Sequence, residues 1–189
     1  MAKGKGSGFE REISKMLSHW WSGGERDDIF WRSSQSGGRA TTRSKAGLRT
    51  AGSYGDITAL HDSGIPLLRF FCIELKRGYT ADIDILDILD SKKAVPQLIG
   101  FWRKAEEDRA SARSAYSLLI FKRDRKHAVC LISGDCMTIL QEYQGDYEST
   151  EIHLFPTALG KWLVAVRLDE FLDWLDPATI ASIISEVTS

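Results

Sequence analysis

The sequence has few of the residues that cross-link small domains or bind transition metals in them. It contains three cysteines and four histidines. Cys72, Cys130 and Cys136 form neither a Cys-x-x-Cys pair nor an even set of disulfide partners, and the histidines show no zinc-ligand spacing. Cys72 and Cys130 lie inside apolar runs, which indicates thiols buried in a core. The sequence therefore predicts neither a disulfide framework nor a zinc site.

Long apolar segments are also missing. The first eight residues, Met-Ala-Lys-Gly-Lys-Gly-Ser-Gly, lack the apolar stretch of a signal peptide, and no run approaches membrane-spanning length. We therefore expect a reduced, cytoplasmic protein without a membrane partner.

Acidic residues are absent from one long stretch, although the composition as a whole is ordinary. The 189 residues are 43% hydrophobic and 27% charged with a formal net charge of −1, which is typical of a soluble domain. Segment 34–53 is rich in Gly, Ser, Thr and Arg and has no hydrophobic period, which predicts a long loop, and long loops of this kind are usually functional or disordered. Its arginines suit phosphate contacts because a guanidinium group pairs two oxygens at once, and simple solubility is the alternative interpretation. The cations of the acid-free stretch between Asp28 and Asp56 are Arg32, Arg39, Arg43, Lys45 and Arg49.

The most informative pattern is Gly55-Asp56 followed by Glu74-Leu75-Lys76. Successive side chains of a strand alternate faces, so Glu74 and Lys76 point the same way and Leu75 points into the opposite layer. Residues 61–66 are typical of a turn, and a hairpin closed there would bring Asp56 close to Glu74. Two neighbouring carboxylates repel each other, and a divalent cation between them relieves that repulsion. The pattern predicts a magnesium site.

An acid-x-lysine triplet also occurs by chance, and alone it would indicate a solvated strand end. Here the preceding run, Leu67 to Ile73, is mostly apolar, as in a strand that is covered on both faces. Binding sites are commonly built at the ends of such core strands, which favours the functional interpretation.

Hydrophobic periodicity predicts an α/β fold in which helices flank a mixed sheet. A first helix begins near Ser7, buries Phe9 and Ile13, and carries Glu10 in its first turn. Gln97 lies near the start of a later helix and is expected to be within reach of the site. The predicted helices are 7–22, 81–90, 95–114 and 135–143, with helical segments from 169 and 177 onward, and the predicted strands are 29–33, 56–61, 67–76, 115–122, 127–132, 151–155 and 161–168.

The chain is expected to divide into a core of residues 1–133 and a C-terminal α+β extension of residues 134–189. The extension carries Trp162, Phe171 and Trp174 as apolar anchors and no catalytic constellation. Packing on the core within the same globular unit, or dimerisation, is its default interpretation.

A glutamate on a helix, an aspartate and a Glu-x-Lys triplet on strands, then a helix and a strand, together resemble the PD-(D/E)xK nuclease superfamily, whose fold is the restriction-endonuclease-like mixed β-sheet. Residues 5–12, Lys-Gly-Ser-Gly-Phe-Glu-Arg-Glu, are similar to the Lys-Gly-x-x-x-Glu-Arg-Glu opening of archaeal-type Holliday junction resolvases. The triplet Trp31-Arg32-Ser33 resembles their Arg-Ser strand. A phage or prophage member of this superfamily is one candidate identity. The match covers residues 5–76 well and 92–133 in outline.

The resemblance implies a role for each matching residue. Asp56 and Glu74 would bind Mg²⁺, with the carbonyl of Leu75 as a further ligand and Mn²⁺ as a substitute ion. Lys76 would orient or deprotonate the attacking water, or stabilise the charge that develops on the phosphate. Glu10 would complete the metal shell. The residues implied in DNA binding are Arg11, Arg32 and Ser33, joined by Arg39, Arg43, Lys45 and Arg49 of the basic loop.

The chain departs from the resolvase pattern in two places. Gly55 stands where the superfamily carries proline, and the loop at 34–53 is longer than its resolvase counterpart. The second departure affects the expected junction specificity more than the expected chemistry.

Three functions remain open at this point. The first is a Mg²⁺-dependent DNA endonuclease that selects branched or structured DNA and acts as a homodimer, because resolving a junction needs paired nicks on symmetric strands. The second is a sequence-specific, restriction-type endonuclease on the same core. The third is a non-catalytic DNA-binding module, which the intact acid-x-lysine pattern disfavours.

Overall fold

The computed structural model describes residues 5–33, 54–78, 97–156 and 158–187. The helix predicted at 81–90 and the basic loop at 34–53 lie outside these residues. Within them the structure is α/β, with a mixed sheet flanked by helices, as the sequence predicts.

Helix α1 spans Lys5–Trp21, and strands β1 and β2 span Phe30–Arg32 and Ile57–Ala59. A 3₁₀ turn at Asp62–Gly64 leads into helix α2, Ile65–Phe70, and strand β3, Phe71–Arg77. The remaining elements are α3 (Gln97–Ala112), β4 (Tyr116–Lys122), β5 (Ala128–Ser133), α4 (Gly134–Gln144), β6 (Glu151–Leu154), β7 (Leu163–Arg167), α5 (Leu168–Trp174) and α6 (Pro177–Val187).

Five of the described strands form one sheet in the order β3-β4-β5-β7-β6. Strands β3 and β4 are parallel and are linked through α3, whereas the other neighbouring strands pair antiparallel. Strands β1 and β2 form a separate antiparallel pair. This pair lies beside β3, where the Asp56 N–H donates to the Ile73 carbonyl at 2.8 Å.

Both faces of the sheet are covered, and the alternation of side chains along β4 shows how. Leu118 and Ile120 belong to the larger core with α1, α2 and the C-terminal helices, whereas Leu119 belongs to a second core under α3. In that second core, α3 contributes Leu98 and Trp102. The edge of β3 therefore lies between two helical layers.

The prediction of a strand over residues 67–70 was wrong, because these residues form most of α2. Pro66 occupies the first turn of that helix, a position that tolerates proline. Leu67, Leu68 and Phe70 are buried. A short apolar run fits a buried helix as well as a buried strand, so periodicity alone could not separate the two.

The predicted hairpin between Asp56 and Glu74 was also wrong in its connection. Strand β2 pairs with β1, with Trp31 opposite Thr58, and the chain reaches β3 through the 3₁₀ turn and α2. Gly64 permits this path, because a Cβ there would lie 2.6 Å from the Phe30 ring. The expected closeness of Asp56 to β3 is nevertheless present.

The C-terminal residues contribute to the same sheet as the core. Strand β7 pairs with β5, with Leu131 opposite Ala165, and β6 forms the outer edge. The division at residue 133 stays a prediction. Among the described residues, none of the helices is both long and apolar enough to cross a membrane.

Candidate active site

The backbone of Asp56 connects three strands. Its N–H donates to the Ile73 carbonyl at 2.8 Å, and its own carbonyl accepts from the Ser33 N–H at 2.7 Å. Gly55 makes this approach possible, since it has a φ of +76° and a Cβ there would lie 2.7 Å from the Ile73 oxygen. Proline cannot adopt this φ, so the departure from the superfamily's proline has a backbone cause.

The side chain of Asp56 is fixed against the edge of β3. Its Oδ2 accepts a hydrogen bond from the Leu75 N–H at 2.8 Å. The N–H and C=O groups of one strand residue project to the same side, so the Leu75 carbonyl also faces the Asp56 edge. A carboxylate and a backbone carbonyl thus share this edge.

Glu74 and Lys76 project from the same face of β3, as the alternation of side chains requires. The Lys76 ammonium donates a hydrogen bond to Oε1 of Glu74. The residue Glu74 is buried, with only 6% of its surface exposed. The same ammonium lies 5.4 Å from the centroid of the Phe101 ring on α3. The Lys76 ammonium therefore lies between the Phe101 ring of helix α3 and the Glu74 carboxylate of strand β3.

The electrostatics of the two carboxylates show that they are close and poorly solvated. Burial raises the pKa of Asp56, the charge of Glu10 adds to this, and the Leu75 N–H and Lys76 oppose it. Burial also raises the pKa of Glu74, followed by the charge of Asp56, while Lys76 acts in the opposite direction. Each acid therefore favours a proton or another cation nearby.

Glu10 lies on α1 and reaches the same region. Its Oε2 is 3.8 Å from Nη1 of Arg32 on β1, and its charge raises the pKa of Asp56. The structure thus brings Glu10, Asp56, Glu74 and Lys76 together.

The described residues contain no group of three His, Cys, Asp or Glu side chains arranged to hold a metal ion. The donors at the β3 edge are instead the two carboxylates of Asp56 and Glu74 and the Leu75 carbonyl. Mg²⁺ prefers oxygen ligands, keeps several waters, and is commonly held by one or two carboxylates together with substrate phosphates. The donor set present therefore fits this ion.

The predicted DNA-binding residues lie in different environments. Arg11 is exposed on α1, and Arg32 is partly exposed beside Glu10. Ser33 is buried, with its N–H bound to Asp56. Gln97 begins α3 one turn before Phe101, which places it on the helix face that covers Lys76. Arg39, Arg43, Lys45 and Arg49 lie outside the described residues.

The sequence analysis missed a pair of charges on α3. Lys104 donates to Asp108 at 2.5 Å, and this hydrogen bond raises the pKa of Lys104. The charge of Asp108 also contributes to the raised pKa of Glu74. The spacing of Gln97, Phe101, Lys104 and Asp108 along one helix face was the available signal. It was hidden because charged residues surround that face in the sequence.

The prediction that Cys72 and Cys130 are core thiols is confirmed, since both are buried, and Cys136 is buried as well. Burial raises the pKa of Cys72 to about 12, which favours the protonated thiol over the reactive thiolate.

A comparison with protein families gives a match over nearly the whole chain. A family model described as "Phage putative PDDEXK endonuclease" matches residues 1–182. Searches of curated proteins and of solved structures found no match.

Proposed function

Because this chain belongs to the phage putative PDDEXK endonuclease family, we propose that it is a Mg²⁺-dependent endonuclease that hydrolyses DNA phosphodiester bonds at the β3 edge. The observation that carries the proposal is the Asp56 carboxylate bound to the Leu75 N–H, beside a buried Glu74 that holds Lys76. A non-catalytic relative would not need to keep two buried carboxylates and an ammonium at one edge.

The ion would be held by Asp56, Glu74 and the Leu75 carbonyl. When bound, Mg²⁺ supplies charge screening at the phosphate and lowers the pKa of water. The protein's own contribution is to fix these oxygens: the Leu75 N–H orients Asp56, and the covered face of β3 orients Glu74.

Lys76 would orient the attacking water and stabilise the charge that develops on the phosphate. The ammonium is held between Glu74 and the face of the Phe101 ring, so it is positioned before substrate arrives. We favour this role over that of a free base because Lys76 donates to a carboxylate.

Glu10 and Arg32 would act beside the metal. Arg32 offers a guanidinium fork for a substrate phosphate, and Glu10, 3.8 Å from it, holds that side chain near the site. Glu10 would also bind metal-associated water and complete the shell.

For the substrate, we propose branched or otherwise structured DNA cut by a homodimer. This rests on the resolvase-like residues 5–12 and 31–33 and on a basic loop that suits backbone contacts without base readout. Mn²⁺ would substitute for Mg²⁺.

The test is a cleavage assay on four-way junctions, flaps, single strands and linear duplexes, each with Mg²⁺, Mn²⁺ or EDTA. We expect metal-dependent cleavage with preference for the branched substrates. Cutting at fixed sites in linear duplexes would instead identify a restriction-type enzyme. Binding without cleavage under all conditions would contradict the nuclease function.

A further inference from the structure

A second charged surface lies at the turn between β4 and β5, away from the residues assigned so far. A groove of about 350 Å³ runs beside this turn, between α1 and the start of α5. Its charged and polar lining residues are Glu12, Lys122, Arg125, Lys126, His127 and Asp169.

The acids in this groove are already compensated by cations. Glu12 accepts from Lys122 at 2.8 Å and from Arg77 at 3.3 Å. Asp169 accepts from Arg167 at 2.5 Å.

Two cations of the groove remain available for a ligand. Arg125 and Lys126 are exposed, and no carboxylate among the described residues pairs with either of them. The groove therefore presents uncompensated positive charge.

This surface lies at the same end of β3 and β4 as the candidate active site, on the α1 face of the sheet, whereas Glu74 and Lys76 project from the α3 face. Strands β3 and β4 are parallel, and Arg77, which follows Lys76, lies opposite Lys122 in the ladder. Neighbouring strands are about 4.8 Å apart, so Lys122 lies one strand spacing from the end of β3, and the turn that carries Arg125 and Lys126 follows directly after Lys122. Glu12 joins the two strand ends through its bonds to Arg77 and Lys122.

We propose that Arg125 and Lys126 bind phosphates of duplex DNA that flank the phosphate being cut, an inference that rests on the proposed nuclease function. Duplex DNA carries about one negative charge per 1.7 Å of its axis, so a duplex held at Glu74 and Lys76 brings further phosphates across the neighbouring strand end. The guanidinium of Arg125 can pair two phosphate oxygens, and Lys126 supplies a point charge beside it. The contact sets the position of the DNA and does not read its sequence.

The chain offers a matched control at the opposite end of the same strands. Arg69 and Arg113 are also exposed cations without a carboxylate partner among the described residues. Arg113 and Arg125 have almost the same positive φ, 60° and 62°. Asparagine tolerates this conformation, so Arg125→Asn with Lys126→Gln, and Arg113→Asn with Arg69→Gln, remove equal charge at comparable backbone strain.

The measurement is the affinity of the full-length chain for duplex DNA, in EDTA to prevent cleavage, as a function of salt concentration. Losing two phosphate contacts should lower the slope of log affinity against log salt by about 1.8 and weaken binding roughly ten-fold or more. The Arg125→Asn, Lys126→Gln variant should show both effects, and the Arg69→Gln, Arg113→Asn variant should show neither. Exchanging the cations, as Arg125→Lys with Lys126→Arg, should preserve the wild-type slope.

An unchanged slope in the first variant, or an equal loss in the control, overturns the assignment of this groove. These outcomes differ from a failure of the nuclease proposal, in which the wild-type chain itself cuts no DNA. Duplexes shortened stepwise on either side of the cut supply the positional readout. The difference in affinity between wild type and the Arg125→Asn, Lys126→Gln variant should disappear when one flank of the duplex is removed. If that difference persists on every shortened duplex, it contradicts a flanking contact.

Discussion

At the scale of single residues, Asp56 carries more structural connections than any other acid of the candidate site. Its N–H, carbonyl and carboxylate are bound to Ile73, Ser33 and Leu75 respectively. The same connections hold the carboxylate near Glu74, where burial and charge raise the pKa of both acids. Without a cation, the protein therefore loses stability when both acids are ionised.

This loss predicts the behaviour of Asp56→Asn. A carboxyl group whose pKa is raised by folding binds its proton more tightly in the folded state, so its stabilising contribution falls as pH rises from the ordinary Asp range through the raised value. Asparagine removes the charge and retains an oxygen for the Leu75 N–H. In EDTA the variant should be more stable than wild type at neutral pH, and the difference should shrink as pH falls.

The check is chemical unfolding at several pH values, with and without Mg²⁺. Because an ion that binds only the folded state stabilises it, Mg²⁺ should raise the free energy of unfolding of wild type much more than that of the variant. A variant that is less stable than wild type at every pH would contradict the account of a buried Asp56 carboxylate that destabilises the fold when it is ionised.

The sequence predicted these residues better than their surroundings. Glu74 and Lys76 could be placed on one face because strand periodicity fixes side-chain direction independently of the tertiary fold. Lys104 and Asp108 were missed because their proximity to Glu74 depends on how α3 packs on β3, which no local pattern specifies.

At the scale of elements, the junction between β2 and β3 depends on Gly55. A side chain at this position would meet the Ile73 carbonyl, and its φ of +76° would be strained as well. Gly24 separates the two effects, because it has a φ of +93° with open space around its Cβ position. Gly55 therefore has a steric role that the other glycine lacks.

We expect Gly24→Ala to cost about 1–2 kcal/mol of stability from backbone strain alone. Gly55→Ala should cost about 2–5 kcal/mol, because the clash with the Ile73 oxygen adds to the strain. Gly55→Ala should also reduce DNA cleavage, since it displaces Asp56 from Leu75. Denaturant unfolding and cleavage rates test this, and equal effects of the two variants would exclude a steric role for Gly55.

The junction between α1 and β1 depends on Ser18. Its hydroxyl accepts from the Phe30 N–H at 2.9 Å and donates to the Ser14 carbonyl at 2.8 Å. This link holds β1, and hence Arg32, against the helix that carries Glu10. The neighbouring Ser14 is equally buried but donates only to the Glu10 carbonyl.

Ser18→Ala should lower the free energy of unfolding by about 1–3 kcal/mol, because it leaves the buried Phe30 N–H without an acceptor. Ser14→Ala should cost less than about 1 kcal/mol, because the Glu10 carbonyl keeps its backbone helix bond. Urea unfolding of the two variants compares them directly. If the two substitutions lower the free energy of unfolding equally, the hydrogen bond from Phe30 to Ser18 contributes nothing measurable to stability.

The predictions of elements succeeded for the long periodic segments and for the short strands β1 and β2, and failed at the apolar run before β3. Helices α1 and α3 and strands β4, β5 and β7 were predicted because each buries a repeated face. Helix α2 was mistaken for a strand because its six residues are too few to distinguish the two periods. The pairing of β2 with β1 could not be read from local sequence, because pairing depends on contacts between distant segments.

At the scale of the whole molecule, the candidate site occupies one edge of the five-stranded sheet. The candidate site lies on the β3 edge, and β6 lies on the opposite edge of the described sheet. Phe155 and Trp162 are exposed near that far edge, with ring centroids 5.0 Å apart. The net charge of −1 hides this organisation, because Arg125 and Lys126 are offset by acids elsewhere. Fold class could thus be predicted from sequence, whereas the basic groove required the packing of α1, the β4–β5 turn and α5.

The most direct test of the central claim is the initial rate of Mg²⁺-dependent DNA cleavage, measured for wild type, Asp56→Asn, Glu74→Gln and Lys76→Ala, with Glu107→Gln as the control. Glu107 is an exposed acid on α3 and has no role in the proposed site. We predict that each of the three site variants loses at least about 100-fold in rate, as expected when transition-state stabilisation is removed, while DNA binding persists and the control cuts normally. Near wild-type cleavage by any two of the three would contradict the claim that this strand edge is the active site.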